Sequence, residues 1–284
     1  MVVPARFTAW VLLGATVPGG AGAQRRPAVE QERREFAEWL RTAPLSPRRA
    51  VGVFPLGAGL SIGPPTAEIP LAGVPAGRVA ERDGRITVSW GDNRQPVSRG
   101  RAIQLNRWRL LASGPPDRTV VTVFAPDIRA GKPPAWFPYD STLALPVTLT
   151  RAAESDGLRV LAPDGVEVEA AEAGTVSVTL AGTTHILRVR RLPGAAEEES
   201  ELEIYFRDAT NGRTTYPAGR FVALIPQAGG GYLLDFNRAR NPFCAYNTAY
   251  PCPAPWRGNT LTVPVRAGER YQGGGLNPPP GGGS

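Results

Sequence analysis

"TVSVTLAGTTHILRVRRL", residues 175–192, decides the reading of the fold. Apolar and polar residues alternate on both sides of Gly182, which is the pattern of two half-buried strands folding back on a tight turn, not of a helix. His185, the only histidine of the chain, falls on the same strand face as Leu187 and Val189. It reads as a hydrogen-bonded residue at the edge of a core.

The same period-two grammar extends in both directions. "GRVAERDGRITVSW" (77–90) predicts a hairpin on Asp83-Gly84, with Val79, Ile86 and Val88 among the apolar positions. Strands are predicted at Ile103–Leu111, Thr119–Phe124 and Leu143–Leu149, and "LRVLAPDGVEVEA" (158–170) turns at Asp164-Gly165. "ELEIYF", "RFVALI", "YLLDFN" and "TLTVPV" follow, from residue 201 to 265. Short strands at this spacing imply an all-β fold of sandwich or barrel layers. Two sub-domains are expected, 45–145 and 146–271, dividing between Phe137 and Ser155.

Only the N-terminal part breaks the pattern. "VEQERREFAEWLR" (29–41) sets Val29, Phe36, Trp39 and Leu40 on one helical stripe among charges, so segment 24–44 should carry an amphipathic helix. Residues 1–23 read as an export signal: Arg6, an apolar stretch from Phe7 to Val17, and Ala21-Gly22-Ala23 before Gln24. That stretch is too short to span a bilayer, and no later apolar run does. The expected location is periplasmic or extracellular, without membrane insertion or a lipid anchor. "EEESE" (197–201) reads as a solvated turn, and the Gly/Pro tail 272–284 as disordered.

The chain carries a net charge of +7, or +6 without Arg6, and Lys132 is its only lysine. Its arginines are scattered among acids and form no phosphate-tracking run, which argues against nucleic acid as a partner. No cofactor motif is present. One histidine excludes a His-rich zinc site, and no Gly-x-Ser-x-Gly elbow supplies a serine for a His185 triad.

Three ordered blocks resemble the bacterial family catalogued as domain of unknown function 1684: "FRDATNGRTTYPAGRF" (206–221), "LLDFNRARNPFCAYNTAYPCPAP" (233–255) and "AGE" (267–269). The resemblance runs from about Val51 to Glu269 and implies no activity, because that family's function is unassigned. "FPLGAGLSIGPPTAEIPLAG" (54–73) through "VSRGRAIQL" (97–105) is weakly similar to forkhead-associated β-sandwiches. Pro64 after Ile62-Gly63, and the lack of a Ser-x-x-His element, imply a scaffold without a phosphothreonine site.

Cys244 and Cys252 have seven residues between them, which fits neither C-x-x-C redox chemistry nor zinc knuckles. In an oxidising compartment they should form a disulfide, worth roughly 2.5 kcal/mol on the chain-entropy model, in a loop stiffened by Pro251, Pro253 and Pro255. Beside it, pairing "RFVALI" with "YLLDFN" across Gly229-Gly230-Gly231 would set Leu224 opposite Leu233, Val222 opposite Asp235 and Arg220 opposite Asn237. Asp208, Thr210, Tyr216, Arg220, Asp235, Asn237 and Glu269 then form the candidate ligand-binding cluster. Arg220 should pair with a carboxylate, Asp235 ahead of Asp208.

Two functions follow. The preferred one is a non-enzymatic module that binds a ligand or protein partner through its C-terminal half, with much of the cluster satisfying the fold. The alternative is a hydrolase of envelope polysaccharide in which Asp208, Asp235 and Glu269 include a general acid and base, oriented by Arg220 and Tyr216. Trp108, Trp136, Phe137 and Tyr139 could line a sugar or peptide groove, with core packing the preferred reading.

Overall fold

The structure is a computed structural model that describes residues 21–153, 157–192, 201–256 and 258–273. The export segment through Val17, most of "EEESE" and the tail from residue 274 lie outside the described residues. Strands make up 44% and helices 13%, so the fold is all-β with one α-helix. That helix, α1, spans Ala21–Thr42 and begins ahead of the expected Val29. Val29, Phe36 and Leu40 are buried on its inner stripe, while Arg26–Glu30 and Gln31–Glu35 bond along the outer face at i,i+4 spacing.

Two compact units result. One is Trp39–Ala130; the other joins α1 up to Glu38 with the chain from Gly131 onward. The contacts divide ahead of the 145/146 boundary drawn from sequence, because Ala135–Trp136 and Ala144–Val147 pair with strands of the C-terminal unit.

The first unit contains β1 (Ala50–Pro55), β2 (Leu60–Gly63), β3 (Ile69–Pro70), β4 (Gly77–Arg82), β5 (Arg85–Trp90), β6 (Asn93–Val97), β7 (Ala102–Leu105), β8 (Trp108–Ser113) and β9 (Val120–Phe124). They form a four-stranded sheet, β1-β9-β8-β7, and a five-stranded sheet, β3-β2-β4-β5-β6. Ile62, Val79 and Val88 from the second sheet share one core with Leu110, Ala112, Val121 and Val123 from the first. Asp83 and Gly84 turn the β4–β5 hairpin with φ of 50° and 72°, as their residue types require. The expected strand Ile103–Leu111 is instead the β7–β8 hairpin. Asn106 breaks it at φ 54°, a conformation that asparagine tolerates better than most residues.

The second unit contains β10 (Ala135–Trp136), β11 (Ala144–Val147), β12 (Thr150–Arg151), β13 (Gly157–Leu161), β14 (Glu167–Leu180), β15 (Thr183–Leu192), β16 (Glu201–Phe206), β17 (Arg220–Pro226), β18 (Tyr232–Asp235) and β19 (Glu269–Arg270). Its main sheet runs β11-β18-β17-β16-β15-β14-β12, with β13 also on β14, while β10 and β19 pair separately. Alternate residues of this meander, including Val176, Val178, Leu187, Val189, Ile204, Phe206, Val222, Leu224 and Leu234, line one core. Ala181 and Gly182 turn the long hairpin at positive φ. His185 is half-buried beside fully buried Leu187 and Val189, and among the described residues its Nε2 has no hydrogen-bond partner.

Two expectations fail here. "TLTVPV" is not a strand: beyond the single bridge Thr260↔Arg207 it runs irregularly, sending Leu261 and Val265 into the core around Pro264. The β17–β18 register is also displaced by one residue, with Leu224 opposite Leu234 and Ile225 opposite Leu233. Pro226 pairs with Tyr232, and Gln227 and Gly231 close the turn, so the connection is one residue shorter than assumed. A slip of one exchanges the faces. Leu234 and Phe236 therefore join Val222 and Leu224 inside.

Candidate functional site

Arg220 opens β17 on the face shared by Val222 and Leu224, so its guanidinium enters the second unit's core and is wholly buried. Its strand neighbour is Phe206, and the chain leaving β16 delivers Asp208 two residues later. Nη2 meets Asp208 Oδ2 at 2.8 Å and the Val265 carbonyl at 2.9 Å; Nη1 donates to the carbonyls of Ala267 and Glu269. The expected partner, Asp235, is displaced by the register and caps a turn instead. Burial lowers the Arg220 pKa, and the Asp208 charge opposes that shift.

Asp208 is equally committed. Oδ1 accepts from Thr210 N, Thr210 Oγ1 and Val265 N, and Thr210 Oγ1 lies 2.8 Å from Thr215 Oγ1. The "DATNG" turn is thus folded around its own aspartate. The glycines of the matched blocks serve close approach: a Cβ on Gly219 would lie 2.6 Å from the Phe206 carbonyl, and one on Gly268 2.7 Å from the carbonyls of Ala239 and Phe236.

Asp235 ends β18 and caps the short turn Phe236–Arg238, its Oδ1 accepting from Asn237 N and Nδ2. Asn237 also exchanges two hydrogen bonds with the backbone of Asp140, at 2.8 and 2.7 Å. Asp235 Oδ2 is buried, accepts no hydrogen bond among the described residues, and stands 3.4 Å from Arg238 Nε. Arg33 of α1 reaches this corner, donating to the carbonyls of Phe137 and Asn237 with its guanidinium 5.0 Å from the Trp136 ring centre. Tyr139 faces the same corner, its pKa raised by burial and then by the Asp235 charge. Trp108 lies in the first unit, where its indole donates to the Ala72 carbonyl.

Glu269 of β19 pairs with Trp136 of β10 and is buried. Oε2 accepts from Asn241 N at 2.9 Å and Oε1 from the Tyr246 hydroxyl. Burial pushes its pKa up to about 7, against the pull of these donors and of Arg240. Phe36 of α1 packs edge-on against Trp136 and Tyr246, and Arg240 lies over its ring at 4.5 Å.

Cys244 and Cys252 stand as separate thiols, not as the disulfide expected from compartment and spacing. The Tyr216 hydroxyl lies 3.3 Å from Cys252 Sγ. The hydrogen bond from Cys244 brings the Cys252 pKa down to about 6, and the same bond raises that of Cys244. Burial raises the Tyr216 phenol, whose ring packs edge-on against Tyr271. Among the described residues no group of three His, Cys, Asp or Glu side chains could hold a metal ion.

The side chains of the cluster therefore resolve into three groups, Asp208, Thr210 and Arg220; Asp235 and Asn237; and Glu269, whose carbonyl alone meets Arg220. Tyr216 belongs with the cysteines. Residues missed from the sequence are Arg33, Asn241, Tyr246 and Asn259. Asn259 clamps the loop to the sheet by bonding Arg188 N and the carbonyls of Arg188 and Tyr205. Arg33 alone had a legible signal: it lies four residues after Val29 and three before Phe36.

Residues 134–270 match the family described as protein of unknown function, DUF1684. The chain belongs to this family. The DUF1684 match takes in β10–β19 and leaves α1 and the first unit outside it. A similar solved structure, determined in solution by NMR, is that of an uncharacterized protein of Haloarcula marismortui. It is 31% identical, with the alignment covering 49% of this chain and 76% of that one at a TM-score of 0.42. No curated protein matches the chain. Among the described residues no helix is long and apolar enough to cross a membrane.

Proposed function

We propose that this DUF1684 protein is an exported, non-enzymatic module that binds a ligand or protein partner through its second unit. The observation that supports this reading is the commitment of the carboxylates. Asp208 is used by Arg220 and its own turn, Glu269 by Asn241 and Tyr246, and Asp235 by its cap, with one oxygen that among the described residues accepts no hydrogen bond and lies 3.4 Å from Arg238 Nε. A glycoside hydrolase needs two carboxyl groups open to one substrate. The hydrolase acting on envelope polysaccharide remains as a second reading because Glu269, titrating near 7, has the acidity of a general acid or base. A screen of glycans, esters and peptides decides between them. No turnover is expected, and turnover abolished by Asp235→Asn would establish the hydrolase. The scattered arginines argue against nucleic acid, and the likeness of the first unit to forkhead-associated domains is carried forward as a scaffold only.

Export also sets the state of the cysteines. A Cys252 sulfur with lowered pKa beside the Cys244 thiol is suited to thiol–disulfide exchange with a disulfide oxidant of the export compartment, which takes up the two electrons and both thiol protons as its two cysteines are reduced while the Cys244–Cys252 S–S bond forms. Protein purified from an exporting host should contain Cys244 and Cys252 joined in unreduced peptide maps. Free thiols there would overturn the compartment reading.

A further inference from the structure

We propose that the DUF1684 module carries a guanidinium-binding pocket whose resident occupant is Arg33 of the chain's own helix, and that an arginine side chain of a partner polypeptide can replace it. This rests on the reading of the second unit as a binding module and names the chemistry that the module takes.

The pocket has the parts a planar cation requires. The carbonyls of Phe137 and Asn237 accept from the two terminal nitrogens at 3.0 and 2.9 Å, and the Trp136 ring lies 5.0 Å from the guanidinium carbon. Asp235 supplies the negative charge, and its field raises the Arg33 pKa against burial, which is the larger influence and lowers it. A fork of two divergent carbonyls over an indole face suits a guanidinium better than the point charge of an ammonium.

Arg33 fills this pocket incompletely. Among the described residues its Nε is buried without an acceptor, while Asp235 Oδ2 is buried without a hydrogen bond and has only the ion-pair contact with Arg238 Nε at 3.4 Å. A buried donor without an acceptor is unfavourable, and a guanidinium seated so that its Nε–H reached Oδ2 would satisfy it and strengthen the bonding of the carboxylate. Arg33 is prevented from taking that seat by its helix, which is held by Phe36 against Trp136 and Tyr246 and by Glu32 on Arg238. An arginine arriving on another backbone is not so restrained. Trp136, Phe137, Asp235 and Asn237 all lie within the family match at 134–270, and α1 lies outside it, so the receptor belongs to the DUF1684 module and the occupant to an appended segment.

While α1 is docked, the empty pocket is a minor state and an external ligand's apparent affinity is reduced by that fraction. The test titrates the full chain and its Arg33→Ala variant with N-acetyl-arginine amide, and with N-acetyl-lysine amide for comparison, by calorimetry. The variant should bind the arginine compound about tenfold tighter than the wild type does, and about tenfold tighter than it binds the lysine compound. Equal affinity in variant and wild type, or equal affinity for the two compounds, overturns the proposal. Should Arg33→Ala not fold, hydrogen exchange of the wild type serves: the arginine compound should accelerate the amides of residues 28–38 and leave β14–β17 unchanged, and no acceleration is the contrary result. Turnover in the substrate screen would sink the binding reading itself, whereas a chain without turnover that takes no guanidinium sinks this inference alone.

Discussion

Arg220→Ala should destabilise the second unit by about 3–5 kcal/mol in urea unfolding, the largest single effect expected in this protein. The Arg220–Asp208 pair has no solvent-exposed side-chain surface on either partner, so water cannot replace what is removed. Truncation strands the Asp208 carboxylate in the core and leaves the carbonyls of Val265, Ala267 and Glu269 without this donor. The exposed pair Arg107–Asp127, at a similar 2.9 Å, provides the contrast: Arg107→Ala should change stability by an amount near the error of measurement. A similarly small loss at Arg220 would mean that the pair is wet and the cluster open.

The second large effect depends on pH and centres on Glu269. Its carboxyl titrates at about 7 in the fold against an ordinary 4.5, because burial penalises the charge. Between these values the folded chain binds one proton more than the unfolded chain, so stability falls as pH rises through that window. Below pH 4.5 both states are protonated, and above 7 the native state carries the full penalty, on the order of 3 kcal/mol. Glu269→Gln mimics the neutral form. Unfolding free energies of the two proteins should coincide near pH 4 and diverge by about that amount at pH 8, with the variant the more stable. Parallel curves would show that Glu269 is hydrated.

What was legible in the sequence was local. Asp83-Gly84 and Gly182 announce hairpins through residue types that accept positive φ, and the strands beside them follow by alternation. Asn106 carried the same signal, but between two apolar runs it read as part of one strand. Long-range pairing was less accessible. The β17–β18 register depends on whether Pro226 lies inside or outside the turn, a one-residue choice that composition does not make. That choice carried the Arg220 assignment with it, exchanging Asp235 for Asp208. Arg33 was overlooked for another reason: a charged residue on a helix is usually solvated, and its pocket is made by residues more than a hundred positions away.

The commitment of the polar cluster to the fold is tested most directly by a double-mutant cycle on Arg220→Ala and Asp208→Ala, read by urea unfolding at constant pH. A structural network predicts that the double variant is more stable than the sum of the single losses allows, with a coupling of about 2–3 kcal/mol, because removing both partners abolishes the stranded charge. Additive losses, each below about 1 kcal/mol, would mean that the two side chains are hydrated and free to meet a substrate, and would contradict the account.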